Sequence, residues 1–212
     1  MSSPQTNCPS CGAPVQFRWS SAVQTVCPFC HSILVRNDLI LENVGKVGDL
    51  PPDPSPIQLL TTGTYNNKKF DVIGRIIYQY ENGGWNEWHI VFSDGTSGWL
   101  SDAQLQYAVS FQVSSVPVPP EAQISRGQRL TFLKIPFEVS TITIADYKGV
   151  EGELPFPFYG KKSMMFADLR NKDNDFATID FSDKAAPMLF IGKTVAYEDL
   201  HLQGVRQFEG WS

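Results

Sequence analysis

The feature that most constrains the fold is a pair of Cys-Pro-x-Cys motifs near the start of the chain. Cys8 and Cys11 belong to the first motif, Cys27 and Cys30 to the second, and fifteen residues separate the two. Two thiolate pairs at this spacing are typical of a tetrahedral zinc ribbon. We therefore predict one structural Zn²⁺ ion bound by these four cysteines, because four thiolates fill the tetrahedron and leave no position for water or substrate.

His31 is the other candidate ligand beside the cysteines. It follows Cys30 just as Gly12 follows Cys11. This turn position often takes a positive φ, which histidine tolerates better than most residues. We favour a turn residue with a solvated ring over a metal ligand. A disulfide or free thiols are the alternatives to a metal site, and the spacing disfavours both.

Composition predicts a globular chain. With 212 residues, 42% of them hydrophobic and 12% aromatic, the chain can bury a real core. Its longest apolar run, residues 185–191, is interrupted by Pro187 and is too short to span a bilayer. Residues 1–7 lack the basic start and apolar stretch of a secretory leader. We expect a cytoplasmic protein without a transmembrane segment, since zinc thiolates persist best in a reducing compartment.

The charge pattern gives little support for nucleic-acid binding. The net charge of −5 opposes nonspecific attraction to DNA, RNA or anionic lipid. Residues 1–36 carry only two charged side chains, Arg18 and Arg36, so a zinc tetrathiolate of about −2 leaves the ribbon close to neutral. A ribbon that binds nucleic acid would normally show a cluster of basic residues with interleaved aromatics, and Trp19 beside Arg18 is the only hint of one.

Two proline-rich stretches, residues 51–56 and 116–120, indicate breaks in the organisation of the chain. They predict a zinc ribbon in residues 1–50, a first β-half in 57–115, a second β-half in 121–205 and a tail in 206–212. Within the ribbon, residues 14–19 and 22–26 are predicted to pair as a hairpin between the two cysteine turns.

The fold class predicted for the chain is all-β, with two small barrels or sandwiches behind the ribbon. The apolar runs are short, β-branched or aromatic, and Gly, Asn-Gly or Asp-Gly interrupts them every eight to twelve residues. Residues 72–80, 85–93 and 98–100 give the clearest meander. A duplication of the two halves is suggested by three ordered matches: Gly63 with Gly127, Phe70-Asp-Val72 with Phe137-Glu-Val139, and Phe92-Ser-Asp94 with Phe181-Ser-Asp183.

The strand at residues 85–92 carries the candidate binding residues. Alternation places Trp85, Glu87 and His89 on one face, and Trp88 on the opposite face, which we expect to be the core. Trp88 and Trp99 are therefore predicted to be buried, and Trp85 at least partly exposed. The first face could recognise a ligand or a peptide, or it could be an ordinary solvated face. A separate acidic series is predicted to be solvated surface, since it lacks calcium-loop spacing: Asp168, Asp173, Asp175, Asp180 and Asp183.

A family resemblance rests on a series of residues along the chain: Gly63, Phe70, Gly74-Arg75, Trp85, Glu87-Trp88, Phe92, Asp94-Gly95, Trp99-Leu100 and Glu151-Gly-Glu-Leu-Pro155. In these residues the chain resembles the bacterial domain-of-unknown-function family four-one-seven-eight (DUF4178), whose members often carry an N-terminal zinc ribbon. The resemblance spans residues 8 to about 203, and Trp211 lies outside it. Genes of the family lie near those of membrane-stress proteins, small membrane proteins and polyamine-synthesis enzymes, which implies an adaptor in an envelope-stress or conflict system.

Three functional hypotheses follow. The leading one is a non-enzymatic, cytoplasmic zinc-ribbon adaptor that binds a protein partner, among which membrane-stress proteins are candidates, through Trp85, Glu87 and His89. The alternative is a nucleic-acid-associated zinc-ribbon protein. The third is an enzyme that uses Glu87 and His89 in acid/base chemistry, although the chain has no G-x-S-x-G, GxxxxGK[ST] or HExxH motif and no spare cysteine.

Overall fold

The computed structural model describes residues 5–37, 40–48, 50, 54–114, 116–158 and 162–208, so residues 51–53 of the predicted linker and Trp211 lie outside the described part. The all-β class is confirmed. The strands are β1 (Gln5–Asn7), β2 (Pro14–Gln16), β3 (Gln24–Val26), β4 (Ser32–Asn37), β5 (Ile40–Lys46), β6 (Thr62–Tyr65), β7 (Lys68–Tyr80), β8 (Gly83–Phe92), β9 (Ser97–Ala103), β10 (Gln106–Val113), β11 (Arg129–Phe132), β12 (Ile135–Leu154), β13 (Met164–Arg170), β14 (Asp175–Asp180) and β15 (Met188–Val195).

The described helices are two single 3₁₀ turns, Glu121–Gln123 and Glu198–Leu200, and neither has the length or apolar character needed to cross a membrane.

Eight antiparallel strands pair in a closed ring, in the order β7, β8, β9, β10, β15, β14, β13 and β12. Strand β12 closes it. Its residues 138–145 pair with β13, and its residues 146–152 pair with β7. Closure pairs the backbone N–H and C=O groups of β7 and β12, which would otherwise form open strand edges able to pair with another chain.

The predicted meander is present as β7, β8 and β9, and its alternation is correct. Trp88 and Trp99 are buried, whereas Trp85 is half-buried. Trp88 packs with Phe70, Ile90 and Leu100 in an apolar cluster outside the ring. Trp99 belongs to a second cluster, which fills one end of the ring with aromatic side chains: Tyr78, Phe158, Phe166 and Phe190.

The two halves share one local architecture. In each, a short strand turns into a long one, β6 into β7 and β11 into β12, through two residues with left-handed φ: Asn66 and Asn67 in the first half, Leu133 and Lys134 in the second. Three further strands follow in both. Strand β10 pairs with β15 and β7 with β12, so the halves join in an equivalent manner.

Backbone hydrogen bonds identify which residues of the two halves are equivalent. Val72 accepts from the N–H of Leu60 and donates to the carbonyl of Thr61, whereas Val139 makes the same two bonds with Gly127 and with Gln128. A β-bulge follows both valines. The predicted match of Phe70-Asp-Val72 with Phe137-Glu-Val139 therefore holds.

Two of the three predicted matches were out of register. The equivalent of Gly127 is Leu60 and not Gly63, since both Leu60 and Gly127 have positive φ and bond to the matching valine. Phe92 ends β8, the second full strand of its half, whereas Phe181 follows β14, the third. Short sequence matches alone could not establish these strand positions.

The predicted hairpin between residues 14–19 and 22–26 was wrong. Strand β2 pairs with β1, and β3 pairs with β4. The reason is that each cysteine turn joins the two strands that flank it. The first turn is closed by a bond from the Gly12 N–H to the Cys8 carbonyl, and the second by a bond from the His31 N–H to the Cys27 carbonyl.

The ribbon continues the sheet of the ring. Thr25 and Gln24 of β3 pair with Glu153 and Leu154 at the end of β12, and the Val23 N–H donates to the Leu154 carbonyl at 2.9 Å. The resulting thirteen-stranded sheet runs from β5 of the ribbon to β6, with β11 as a branch on β12. The division into residues 1–50, 57–115 and 121–205 stays a prediction about folding units.

Candidate metal centre and ring cavity

The structure brings the four predicted metal ligands together. The Sγ atoms of Cys8, Cys11, Cys27 and Cys30 all lie within 4.8 Å of one another. The Cys8–Cys30 and Cys11–Cys27 pairs are 3.7 and 3.8 Å apart. Metal–sulfur bonds of about 2.3 Å in a tetrahedron place sulfurs ~3.8 Å apart, whereas a disulfide needs about 2.05 Å. The cluster therefore has the dimensions of a tetrathiolate metal site.

The surroundings of Cys30 favour a thiolate. The Ser32 hydroxyl lies 3.3 Å from its Sγ, and hydrogen bonds from the Ser32 side chain and backbone lower the pKa of Cys30 to about 6. A thiolate is the form that binds a metal. His31 has φ 58° and an exposed side chain, and it is not part of the cysteine cluster. The interpretation of His31 as a turn residue is therefore confirmed.

Glu153 connects the ribbon to the ring. Its buried carboxylate accepts hydrogen bonds from the backbone N–H groups of Arg18, at 2.6 Å, and Trp19, at 3.0 Å. Burial raises the pKa of Glu153, and the two N–H donors oppose that shift. Residues 18 and 19 lie outside the strands, so their N–H groups have no acceptor in a sheet ladder. The Glu153 carboxylate is the acceptor for both of them.

His89 lies in the interior and not on a surface. Its Nδ1 is 2.8 Å from the carbonyl oxygen of Glu153, and its Nε2 is 2.8 Å from the Ser97 hydroxyl. A carbonyl only accepts, so Nδ1 carries the proton and Nε2 accepts from Ser97. Burial lowers the pKa of His89 to about 4, so the ring is neutral at pH 7. The Trp19 and Trp99 rings pack on it, with centroids 5.1 and 5.2 Å away.

Trp85 and Glu87 form a hydrogen-bonded pair inside the ring. The Trp85 Nε1–H donates to Glu87 Oε1 at 3.0 Å, and the Ser101 hydroxyl donates to Oε2 at 2.8 Å. Burial raises the pKa of Glu87 to about 8, and the nearby acids Asp168 and Asp180 add to the shift. Glu87 and His89 lie on the same face of β8 as predicted, but each side chain has its own separate partners.

A cavity of about 960 Å³ occupies the other end of the ring, and all eight ring strands contribute to its lining. Glu87 also borders a small void of about 40 Å³, which is lined by Tyr78, Trp99 and Phe190 of the aromatic cluster. Asp168 also lines the cavity and accepts a hydrogen bond from the Thr178 hydroxyl at 2.8 Å. Burial raises the pKa of Asp168.

The prediction that the acidic series is solvated surface was wrong for two of its members. Asp168 lines the cavity and Asp180 is buried. Alternation along β13 was the available signal, because Phe166, Asp168 and Arg170 share one face of that strand and Phe166 is an evident core residue.

A second concavity, the ribbon–ring groove, lies between the two parts of the chain. It measures about 990 Å³. Its ribbon wall includes Arg18, Phe29 and Lys46, and its ring wall includes Leu60 and the segment 150–153. Phe29 and Leu60 are 65% and 52% exposed. The groove thus presents apolar side chains to solvent on both walls.

A family model described as a domain of unknown function (DUF4178) matches residues 58–196. The chain belongs to this family. Comparisons with curated proteins and with solved structures gave no match. The DUF4178 match covers β6 to β15, which includes the entire ring and leaves out the ribbon.

The Glu-Gly-Glu-Leu-Pro segment of the DUF4178 region, residues 151–155, has a role at each of its first four positions. Glu151 pairs with Arg75 of β7 at 2.9 Å. Gly152 has φ +64°, and a Cβ there would overlap the carbonyl oxygen of Ile73. Glu153 holds the ribbon, and Leu154 is fully buried where β12 meets β3. This segment is therefore where the ring closes and where the ribbon attaches.

Proposed function

We propose that the chain is a non-enzymatic zinc-ribbon adaptor of the cytoplasm, which binds a protein partner in the ribbon–ring groove. The observation that carries this proposal is the attachment at Glu153. It fixes the ribbon beside the DUF4178 ring, so that the two parts form the opposite walls of one groove. A pocket with walls from two parts of a chain is a common place for ligand binding.

Zinc is the metal that the cysteine cluster fits best. Thiolate ligands in tetrahedral geometry favour zinc or iron–sulfur chemistry, and a single ion with four cysteines is typical of structural zinc. The sulfur separations of 3.7 and 3.8 Å suit one such ion. Its role here would be structural, because a tetrathiolate site has no free position. Loss of the ion would also displace Phe29, which lies within the second cysteine turn.

The chemistry of the groove favours an apolar partner segment with acidic residues. Arg18, His31 and Lys46 line the groove and are exposed. The two acidic residues on its ring wall are already engaged, Glu151 by the guanidinium of Arg75 and Glu153 by backbone N–H groups. Arg18 and Lys46 are therefore two exposed cations that an acidic partner segment can contact, although the whole chain is acidic. Complementary charge would guide the partner, and the exposed apolar side chains would provide the contact area.

Two observations weigh against the other hypotheses. For the enzyme, Glu87 and His89 make no hydrogen bond to each other, and the His89 ring is enclosed by Trp19 and Trp99. For nucleic-acid binding, the basic residues of the groove are few and the net charge is −5. A substrate screen with Glu87→Ala tests the first, and a salt titration of DNA and RNA binding tests the second, because phosphate contacts give a steep salt slope.

The experiment for the adaptor proposal is capture of partners by the zinc-loaded chain from the native host, followed by binding of the purified partner. Membrane-stress proteins, which the family context implies, are the first candidates. Phe29→Asp and Leu60→Asp should each weaken binding of the purified partner about tenfold or more. Ile144→Asp is the matched control, because Ile144 is 53% exposed and lies outside the groove. Equal binding by all four proteins would reject the groove.

A further inference from the structure

The ring cavity is a second concave site, separate from the ribbon–ring groove. The inner part of its lining comes from side chains at alternating positions of the ring strands, such as Trp85 and Glu87 on β8 or Phe166 and Asp168 on β13. Alternation places these side chains on the inner face of the ring. The volume of about 960 Å³ falls within the range of small-molecule sites. The adaptor proposal makes no use of this cavity.

The polar groups of the cavity are mainly acidic. Among the described lining residues, three carboxyl groups (Glu87, Asp168 and Glu198) stand against one guanidinium, that of Arg170. Arg170 is exposed, and its guanidinium lies over the ring of Phe176, 5.3 Å from the centroid.

The two inner acids have neutral donors as partners. Glu87 receives hydrogen bonds from Trp85 and Ser101, and Asp168 receives one from Thr178. Neutral donors hold a carboxyl group in place without cancelling a charge on it, so a cation in the cavity would find both acids oriented, although the charge of Arg170 also acts on Asp168.

Aromatic rings form the wall beside Glu87. The Trp85 ring stacks on Tyr78, with centroids 4.8 Å apart, and meets Phe166 edge to face at 5.3 Å. These contacts fix the Trp85 indole, whose Nε1–H is also bound by Glu87. Aromatic faces attract cations, and tryptophan does so most strongly. Hard metal ions prefer several oxygen ligands in a tight shell, which this wide, aromatic cavity does not resemble.

We propose that the ring cavity binds a small organic ammonium ion, with the carboxyl groups of Glu87 and Asp168 as its polar partners and Trp85 and Phe166 as its aromatic wall. Because burial raises the pKa of Glu87 to about 8, this side chain would release its proton to solvent when the ammonium ion binds. The apolar part of the ligand would replace water in the cavity, and the ammonium group would lie toward the two acids. This site goes beyond the adaptor function and does not depend on it.

The test uses 2-phenylethylammonium as the probe and 2-phenylethanol as its neutral counterpart. Isothermal calorimetry on the zinc-loaded full chain should show one ammonium ion bound per chain, with the alcohol at least tenfold weaker. Glu87→Gln keeps the size and hydrogen-bonding capacity of the side chain, and it should weaken binding of the ammonium ion about tenfold. Asp168→Asn should weaken it by a similar factor. Glu138→Gln is the control, because Glu138 is exposed on β12 and does not line the cavity, and it should bind like the wild type.

Three results would overturn the proposal: equal affinity for the ammonium ion and the alcohol, unchanged binding in both acid variants, or no saturable binding of 2-phenylethylammonium or of a second probe, tetraethylammonium. Thermal unfolding of each variant establishes that it is folded before its affinity is compared. Partner capture by the groove is measured separately, so failure of one proposal is distinguishable from failure of the other.

Discussion

Glu153 interacts with Trp19 in two ways, directly through its side chain and indirectly, by way of His89, through its main-chain carbonyl. Its carboxylate accepts the Trp19 N–H at 3.0 Å, while its carbonyl accepts the Nδ1–H of His89, whose ring packs against the Trp19 indole. One residue of the ring therefore contacts the backbone of Trp19 and fixes the His89 ring beside its indole. Trp19, which the sequence suggested only as a weak hint of nucleic-acid contact, is part of this attachment.

Glu153→Ala should loosen the ribbon. The change leaves the N–H groups of Arg18 and Trp19 without their acceptor, and an unsatisfied buried donor costs about 1–3 kcal/mol. We expect the free energy of unfolding to fall by about 2 kcal/mol, and the amide protons of residues 18 and 19 to exchange faster with solvent. Glu138→Ala, at an exposed site of the same strand, is the control. Unchanged protection of the Trp19 amide would show that Glu153 does not hold the ribbon.

Gly152→Ala should destabilise the ring closure far more than Gly127→Ala. Both glycines have positive φ, +64° and +80°, so both substitutions carry the strain of a left-handed alanine, of about 1 kcal/mol. A Cβ at Gly152 would also overlap the Ile73 carbonyl oxygen, whereas a Cβ at Gly127 would meet nothing within 4 Å. Urea unfolding should show a difference of about 2 kcal/mol or more between the two variants. Equal losses of unfolding free energy in the two variants would show that Gly152 does not lie against the Ile73 carbonyl of β7.

Glu87 and His89 should contribute to the free energy of unfolding over different pH ranges. The folded-state pKa of Glu87 is raised to about 8 from 4.5, so the folded state holds a proton that the unfolded state loses, and stability falls as pH rises between these values. The pKa of His89 is lowered to about 4 from 6.5, so its contribution is present above pH 6.5 and is lost as pH falls toward 4.

Between pH 6.5 and 8, the free energy of unfolding should therefore depend on Glu87 and not on His89. Glu87→Gln should remove most of the decrease in unfolding free energy over that interval, as measured by urea titration at several pH values. Glu138→Gln should leave the decrease in place. A decrease of the same size in the Glu87→Gln protein would assign it to other groups.

Metal removal should affect the ribbon first. We expect one zinc ion per chain by elemental analysis, and loss of that ion in Cys27→Ser. Zinc binding contributes about 10–16 kcal/mol in small finger peptides, so a ribbon without it should lose its order. NMR should show loss of dispersed signals for residues 5–37 while ring signals such as those of Trp88 remain. Collapse of the whole spectrum would show that the ring cannot fold without the metal-bound ribbon.

Sequence reasoning identified the features that depend on local spacing. The four cysteines were found because metal geometry fixes the spacing of ligands, and the burial of Trp88 followed from strand alternation. Contacts between residues distant in sequence could not be predicted in this way. His89 was placed on the correct face of β8, but its ring is covered because Glu153 and Trp19, distant in sequence, pack against it.

Asp168 and Asp180 were missed for a similar reason. Alternation with Phe166 was a local signal for Asp168, but that face encloses a cavity only because β12 returns to pair with β7, and the sequence carries no local signal for this closure. The hairpin predicted inside the ribbon failed because two short strands can pair with either neighbour, and the backbone bonds of the cysteine turns determine which.

The measurement that tests the adaptor proposal most directly is the affinity of the purified partner for the zinc-loaded wild type, for Leu60→Asp and for Ile144→Asp. Leu60 and Ile144 have nearly equal exposure, 52% and 53%, and Leu60 alone of the two lines the ribbon–ring groove. We predict that Leu60→Asp weakens binding about tenfold or more, while Ile144→Asp binds like the wild type. Wild-type affinity in the Leu60→Asp protein, with the same affinity in Phe29→Asp, would contradict partner binding in this groove.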